Sequence, residues 1–242
     1  MTRSARAVAV AAVCAVLVGC GSDETLPSIQ VGATQPGTAA REPGEIVLRF
    51  VQAARRGDAR QMWALLSEPT KRSIGPGVTS FAKGTAPDLV KSFEDFRRGR
   101  VLLSRSLGDR WAVGAVAGRF EDPESEDSDP AAYATALRRE GGKWRIELYG
   151  LVIARLRPGP LGTTGDRPDV RAEAQAGEDV ERMLLWLDGR PARVPYARTS
   201  TFTGELRGRP AEALSGGDHA FVVFAETRVT AGAQAWSFHV DE

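Results

Sequence analysis

The period of the apolar residues changes once along this chain of 242 residues. Up to Phe96 they recur at helical spacing; from Val101 to Val240 they alternate with polar residues, the period of strands. Ile46, Val47, Phe50, Val51 and Ala54 form one apolar face, opposite Arg49, Gln52 and Arg55. Gly57 suits a helix C-terminal stop, and Asp58 suits the N-cap of a second helix carrying Met62, Trp63, Leu65 and Leu66, which Pro69 is expected to end. A third helix is expected from Asp88 to Phe96, with Leu89, Phe93 and Phe96 on one face.

The alternating part reads as strands. Val101 and Leu103 open the first, and Trp111, Val113, Ala115 and Ala117 line one side of the next. Tyr133, Thr135 and Leu137 give a third, and Trp144, Ile146 and Leu148 a fourth. Glu140-Gly141-Gly142-Lys143 between the last two is a hairpin turn, since glycine tolerates positive φ. Strands joined by short turns make an antiparallel sheet, and the helices must bury their faces against it. The class is α+β.

From Leu151 onward no helical period appears. Val170, Ala172 and Ala174 alternate with Arg171, Glu173 and Gln175. Met183 to Leu187 ends at the hairpin signal Asp188-Gly189. Thr199 to Leu206 is rich in strand formers, Phe221 to Phe224 is a buried run, and Trp236, Phe238 and Val240 share one face. Six or seven short strands at this spacing imply a sandwich. The pattern divides the body at Gly150 into 45–150 and 151–242, two halves expected to fold independently. Arg157 to Pro168 is expected to be an exposed connection.

The N-terminus carries an address. Arg3 and Arg6 precede the uninterrupted small and aliphatic run Ala7 to Val18, which fits a signal sequence and is too short to span a bilayer. Leu17-Val18-Gly19-Cys20 resembles the bacterial lipobox. The resemblance implies a signal peptide over 1–19, acylation (palmitate) of Cys20, and a protein anchored by lipid at the extracytoplasmic face of the cell membrane. Residues 20–44, rich in Gly, Ser, Thr and Pro, are expected to be a flexible tether. The chain has two cysteines, Cys14 in the leader and Cys20, so the mature body would hold neither a free thiol nor a disulfide.

Thirty-two basic residues face 31 acidic ones, a net charge of +1. That balance points away from a nucleic-acid partner. Arginine carries nearly all the positive charge and is scattered along the chain, which reads as codon bias.

Two resemblances follow from motifs. Phe50 to Ala54, Gly57-Asp58, Leu65-Leu66 and Lys143-Trp144-Arg145-Ile146 are similar to the nuclear-transport-factor-2-like (cystatin-like cone) superfamily, which implies helices on a curved antiparallel sheet over 45–150. Leu185-Trp186-Leu187-Asp188-Gly189, Leu214 to His219, and Trp236-Ser237-Phe238-His239-Val240 resemble bacterial immunoglobulin-like modules over 151–242. Some cone-fold proteins are isomerases, cyclases or dehydratases that use His, Asp or Tyr inside the cone. The first half contains no histidine, and Glu94, Asp95 and Glu147, its conceivable acid–base groups, read better as surface charges or structural partners.

The remaining candidates are few. Trp63, Phe81, Trp111 and Trp144 are the candidate lining of an aromatic pocket, or else simply core. The acidic run Glu121 to Pro130, with two prolines and no glycine, reads as a solvated hairpin loop rather than a calcium site. His219 is expected to make a structural hydrogen bond and His239 to be exposed. Without a nearby carboxylate or cysteine pattern the two make a poor metal site. The sequence thus reads as a non-enzymatic envelope protein without cofactor or metal, engaged in protein interaction or scaffolding. Its partners are the membrane and an unidentified envelope protein or small ligand. A small-molecule binder using the cone, and a cone-fold isomerase or hydrolase-type enzyme, are the alternatives.

Overall fold

Side-chain caps cut the helical part into short pieces: the Asp58 carboxylate accepts from the Gln61 amide, and the Ser67 hydroxyl from the Thr70 amide. A computed structural model describes residues 26–32, 41–121, 128–200 and 202–241. Cys20, the leader before it and residues 122–127 of the acidic run lie outside the described residues. Strand β1 (Ser28–Val31) precedes helices α1 (Arg41–Arg55), α2 (Ala59–Leu65), α3 (Glu68–Ile74), α4 (Val78–Lys83) and α5 (Thr85–Phe93). Strands β2 (Phe96–Ser106), β3 (Trp111–Glu121), β4 (Ser128–Glu140) and β5 (Lys143–Glu147) then form an antiparallel sheet in sequence order. The expected hairpin joins β4 to β5, with Gly141 and Gly142 at φ 54° and 79°.

The rest of the chain is strand. It runs through β6 (Val152–Arg157), β7 (Thr163–Thr164), β8 (Val170–Gln175), β9 (Arg182–Leu187), β10 (Arg190–Arg193), β11 (Tyr196–Ser200), β12 (Thr203–Pro210), β13 (Gly217–Glu226) and β14 (Ala231–Val240). With β1 these make a second sheet of ten strands. The chain is α+β.

Strand alternation produces three cores between four layers. On β3, Ala112 and Val116 face the helices, where they meet Val47, Phe50, Phe81 and Ile146. Trp111, Val113 and Ala115 point the other way, into a cluster with Trp186, Val222, Phe224 and Ala235 of the second sheet. On β13 the neighbours Phe221, Val223 and Ala225 turn to the third core, with Ile29, Val170, Leu206, Trp236 and Phe238. Both β3 and β13 are therefore buried on two faces over most of their length.

Four expectations need correction. Pro69 does not end a helix; it sits in the first turn of α3, where a missing N–H costs nothing. The helix expected over Asp88 to Phe96 is α5, which starts at Thr85 and stops at Phe93, and Phe96 begins β2. The sandwich is one curled sheet rather than two, because β1 pairs parallel to β12 and antiparallel to β10. That strand comes from the stretch expected to be tether. Its Ile29 is 1% exposed in the third core, and α1 begins at Arg41, so the ordered body starts well before residue 45.

The two halves also pack closely against each other. Gly150 lies so close to β14 that an added Cβ would stand 1.8 Å from the Ala231 carbonyl oxygen. Gly189, in the β9–β10 turn at φ 76°, presses on β2, its missing Cβ only 2.4 Å from the Leu102 carbonyl oxygen. A side chain at either position would push the two sheets apart.

Candidate functional site

The four aromatic residues proposed as a pocket do not converge. Trp63 and Phe81 meet at 5.6 Å between α2 and α4, and Trp144 lies in the same helix-covered core. Trp111 has the opposite parity on its strand and belongs to the core between the sheets. Nor is the helix-covered space open. Phe50, Phe81, Phe96, Met62, Leu66, Leu137 and Ile146 fill it, each fully buried, and Phe93 packs edge-on against Tyr133 at 4.9 Å. Burial pushes the Tyr133 hydroxyl's pKa far up, with a lesser opposing effect from Thr135, so it stays protonated and offers no base.

Trp111 instead supports a clasp between the halves. The guanidinium groups of Arg138 and Arg110 lie over its ring at 4.4 and 5.0 Å. Arg138 donates to the Val229 carbonyl at 2.9 Å, and Arg110 donates to the carbonyls of Arg228 and Val229 in the β13–β14 turn. The Glu178 carboxylate accepts from the Thr227 hydroxyl and the Val229 amide of the same turn. Glu147, 5% exposed, holds the other side of Arg138 at 3.2 and 3.3 Å. Of the three conceivable acid–base carboxylates, Glu147 is thus a structural partner. Asp95 lies 3.9 Å from Arg97, and the Glu94 carbonyl caps the same arginine.

Both histidines have carboxylate partners, which the sequence reading missed because the partners lie about 20 to 30 residues away. His219 Nδ1 is 2.7 Å from Asp188 and its Nε2 is 2.8 Å from the Ser215 carbonyl. Both partners are acceptors, so the arrangement favours the imidazolium form, in which both ring nitrogens donate. The hydrogen bond to Asp188 raises its pKa above the ordinary 6.5, against an opposing desolvation effect. His239 Nδ1 meets Asp218 at 2.9 Å, and the same carboxylate accepts from Arg119 of β3 at 3.1 Å. These bonds, His239 first and then Arg119, hold Asp218 below the ordinary 3.8 despite some burial. Cross-strand register puts His219 beside Phe238 and His239 beside Asp218, so the two rings leave β13–β14 on opposite faces. They do not combine into one site, and among the described residues no three His, Cys, Asp or Glu side chains converge.

Two surface depressions stand out among the described residues. One, about 570 Å³, lies over α2, α4 and α5 and is lined by small residues (Gly57, Ala59, Ala82, Ala86, Pro87) with Val90, Lys91 and Glu94. The other, about 540 Å³, lies where the β6–β8 connection crosses the end of the second sheet and is lined by Arg157, Arg167 and Arg209 with Pro158, Gly159, Thr163, Thr164 and Asp169. Its arginines are 10 to 52 positions apart in sequence, which is why they read as scattered. The chain matches no family model, and no curated protein shows significant sequence similarity to it.

Proposed function

We propose that this chain is a lipid-anchored protein of the cell envelope, held at the extracytoplasmic face through Cys20, that works by contacts on its outer surface rather than by catalysis. The observation that carries the reading is the filled interior. The inner face of the first sheet packs solidly on the helices and its outer face on the second sheet, so that among the described residues large side chains fill the space where a substrate would be enclosed. The helices-then-sheet order of the first half supports a cone of the nuclear-transport-factor-2-like type with its cavity closed by aromatic side chains. The ten-strand half supports an immunoglobulin-like module that shares a core with it. Lateral contact then falls to the open depressions, and the groove over α2, α4 and α5 is apolar enough to seat a partner's side chains.

Cell fractionation with Cys20→Ser tests the anchor: the variant is expected to leave the membrane fraction or to accumulate as precursor. A photo-crosslinking residue placed at Lys91 tests the contact. A discrete adduct in membranes, lost when Ala82→Asp puts charge on the exposed lining of the groove, supports the interaction reading; a chain that forms no adduct from Lys91 refutes it.

A further inference from the structure

The strand register of the second sheet gathers arginines that the sequence separates. Arg157 on β6 is the Cα partner of Arg171 on β8, and Arg171 is the partner of Arg207 on β12. Three arginines therefore stand in one row across adjacent strands, a placement that like-charge repulsion disfavours. The next row holds Glu173 and Glu205, whose carboxylates serve Arg171 and Arg155 rather than Arg157. Glu205 meets Arg171 at 2.6 Å, while Glu173 meets Arg155 at 2.9 Å and accepts from Gln175 at 2.8 Å.

Beside that row lies the depression lined by Arg157, Arg167 and Arg209. Asp169 takes Nε and Nη2 of Arg209 on one oxygen, at 2.9 and 2.5 Å, and so fixes the guanidinium plane. Arg157 and Arg167 have no carboxylate partner among the described residues. Three guanidinium groups against the single carboxylate of Asp169 leave the lining with an excess of two positive charges. Thr163 and Thr164 complete the lining. Main-chain bonds hold the loop: Leu161 N to Ser237 O at 2.8 Å, His239 N to Gly162 O at 2.9 Å, and Asp241 N to Thr164 O at 3.0 Å. The backbone of the loop and the Arg209 guanidinium are thus held before any ligand arrives.

We propose that this depression is a binding site for a phosphate-bearing ligand, a diphosphate or a pair of adjacent phosphodiester groups. Arginine's planar fork matches phosphate oxygens in pairs, and two unneutralised forks call for two such charges. A surface-open volume of about 540 Å³ accommodates more than one phosphate and leaves room for the group that carries them. The site is independent of the lipid anchor and of the groove on the helices.

The test uses the full chain with inorganic pyrophosphate as soluble probe, and with phosphatidylglycerol against phosphatidylcholine vesicles as the membrane probe. Pyrophosphate is expected to bind, more weakly as salt rises. Arg157→Gln/Arg167→Gln is expected to lower affinity roughly tenfold. Arg55→Gln/Arg56→Gln, with the same change of charge on the helical side, is expected to leave it unchanged. Preference for phosphatidylglycerol vesicles that disappears in the first double variant, with no pyrophosphate binding, assigns the phosphate to a lipid headgroup. Absence of binding to both probes, or equal loss in both double variants, overturns the site. Arg157 and Arg167 are exposed and the variants are expected to melt as the parent does; should the double variant melt early, Arg167→Gln alone decides by the same criterion.

Discussion

Arg119 of the first sheet and Asp218 of the second meet at 3.1 Å across 99 residues of sequence. The same carboxylate holds His239, and Arg119 is itself oriented by the Ser128 hydroxyl at 2.7 Å. The chain thus ties its two sheets together with charge at one end and, through Arg138 on the Val229 carbonyl, at the other.

The first of these ties is exposed and is expected to be weak. Asp218→Asn should lower stability at neutral pH by no more than about 1 kcal/mol, and less at high salt. Because the folded carboxyl titrates below its ordinary 3.8, its contribution is present above that value and is lost as pH falls through the lowered pKa. Melting curves of parent and variant should therefore converge in acid. A gap that persists at the lowest pH the fold survives would assign the effect to packing.

His219 behaves in the opposite sense. Its folded pKa is raised, so its contribution is complete below the ordinary 6.5 and is lost as pH rises through the raised value. His219→Gln is expected to destabilise the chain more at pH 5.5 than at pH 9, and Asp188→Asn is expected to erase that pH dependence. A difference in melting temperature that is flat across this range would contradict the imidazolium assignment.

Glu147 and Arg138 form the buried tie. Removing the carboxylate by Glu147→Ala leaves a mostly buried guanidinium with only the Val229 carbonyl and the Trp111 face, at a cost of about 3 kcal/mol. Replacing both residues, with Arg138→Met, should cost less than the sum of the single changes. Denaturant titration of the four chains measures that coupling, and strict additivity would show that the pair is not a unit.

Trp236 tests the third core. It is 2% exposed beside Phe221 and Phe238, so Trp236→Ala is expected to cost roughly 3–5 kcal/mol. Its indole N–H has no acceptor among the described residues, so part of what the larger ring contributes is offset by an unpaired donor. Trp236→Phe should accordingly be much milder, within about 1.5 kcal/mol of the parent. Equal melting of the Ala and Phe variants would remove Trp236 from the core.

The division at residue 150 can be examined by dissection. A chain beginning at Leu151 lacks Ile29 of β1 and exposes Trp186, Val222 and Phe224, which the first sheet covers. It is expected to melt without a cooperative transition, and Ile29→Ala in the whole chain to cost about 2–4 kcal/mol. Cooperative unfolding of the isolated piece would mean that the shared core adds little.

Period alone determined much of this protein. Helical spacing in α1, α2 and α5 and alternation along β3, β4, β5, β8 and β14 were legible because each is a local consequence of which face is buried, whereas α3 and α4 were not foreseen. So were the turns at Gly141-Gly142 and Asp188-Gly189, where a left-handed backbone selects glycine and its neighbours. Alternation cannot say what covers the second face of a strand. Trp111 and Trp186 therefore looked like pocket and hairpin residues, although they share one core between the sheets. Nor can a short polar stretch announce that four of its residues will pair between two distant strands, as Ser28–Val31 do, since the partners supply the hydrogen bonds and Ile29 alone the burial. The partners of His219 and His239, and the row Arg157, Arg171 and Arg207, come from cross-strand register, which sets side by side residues that sequence distance keeps apart. The sequence carried the elements and their faces; the pairing of strands, a non-local event, decided which charges meet.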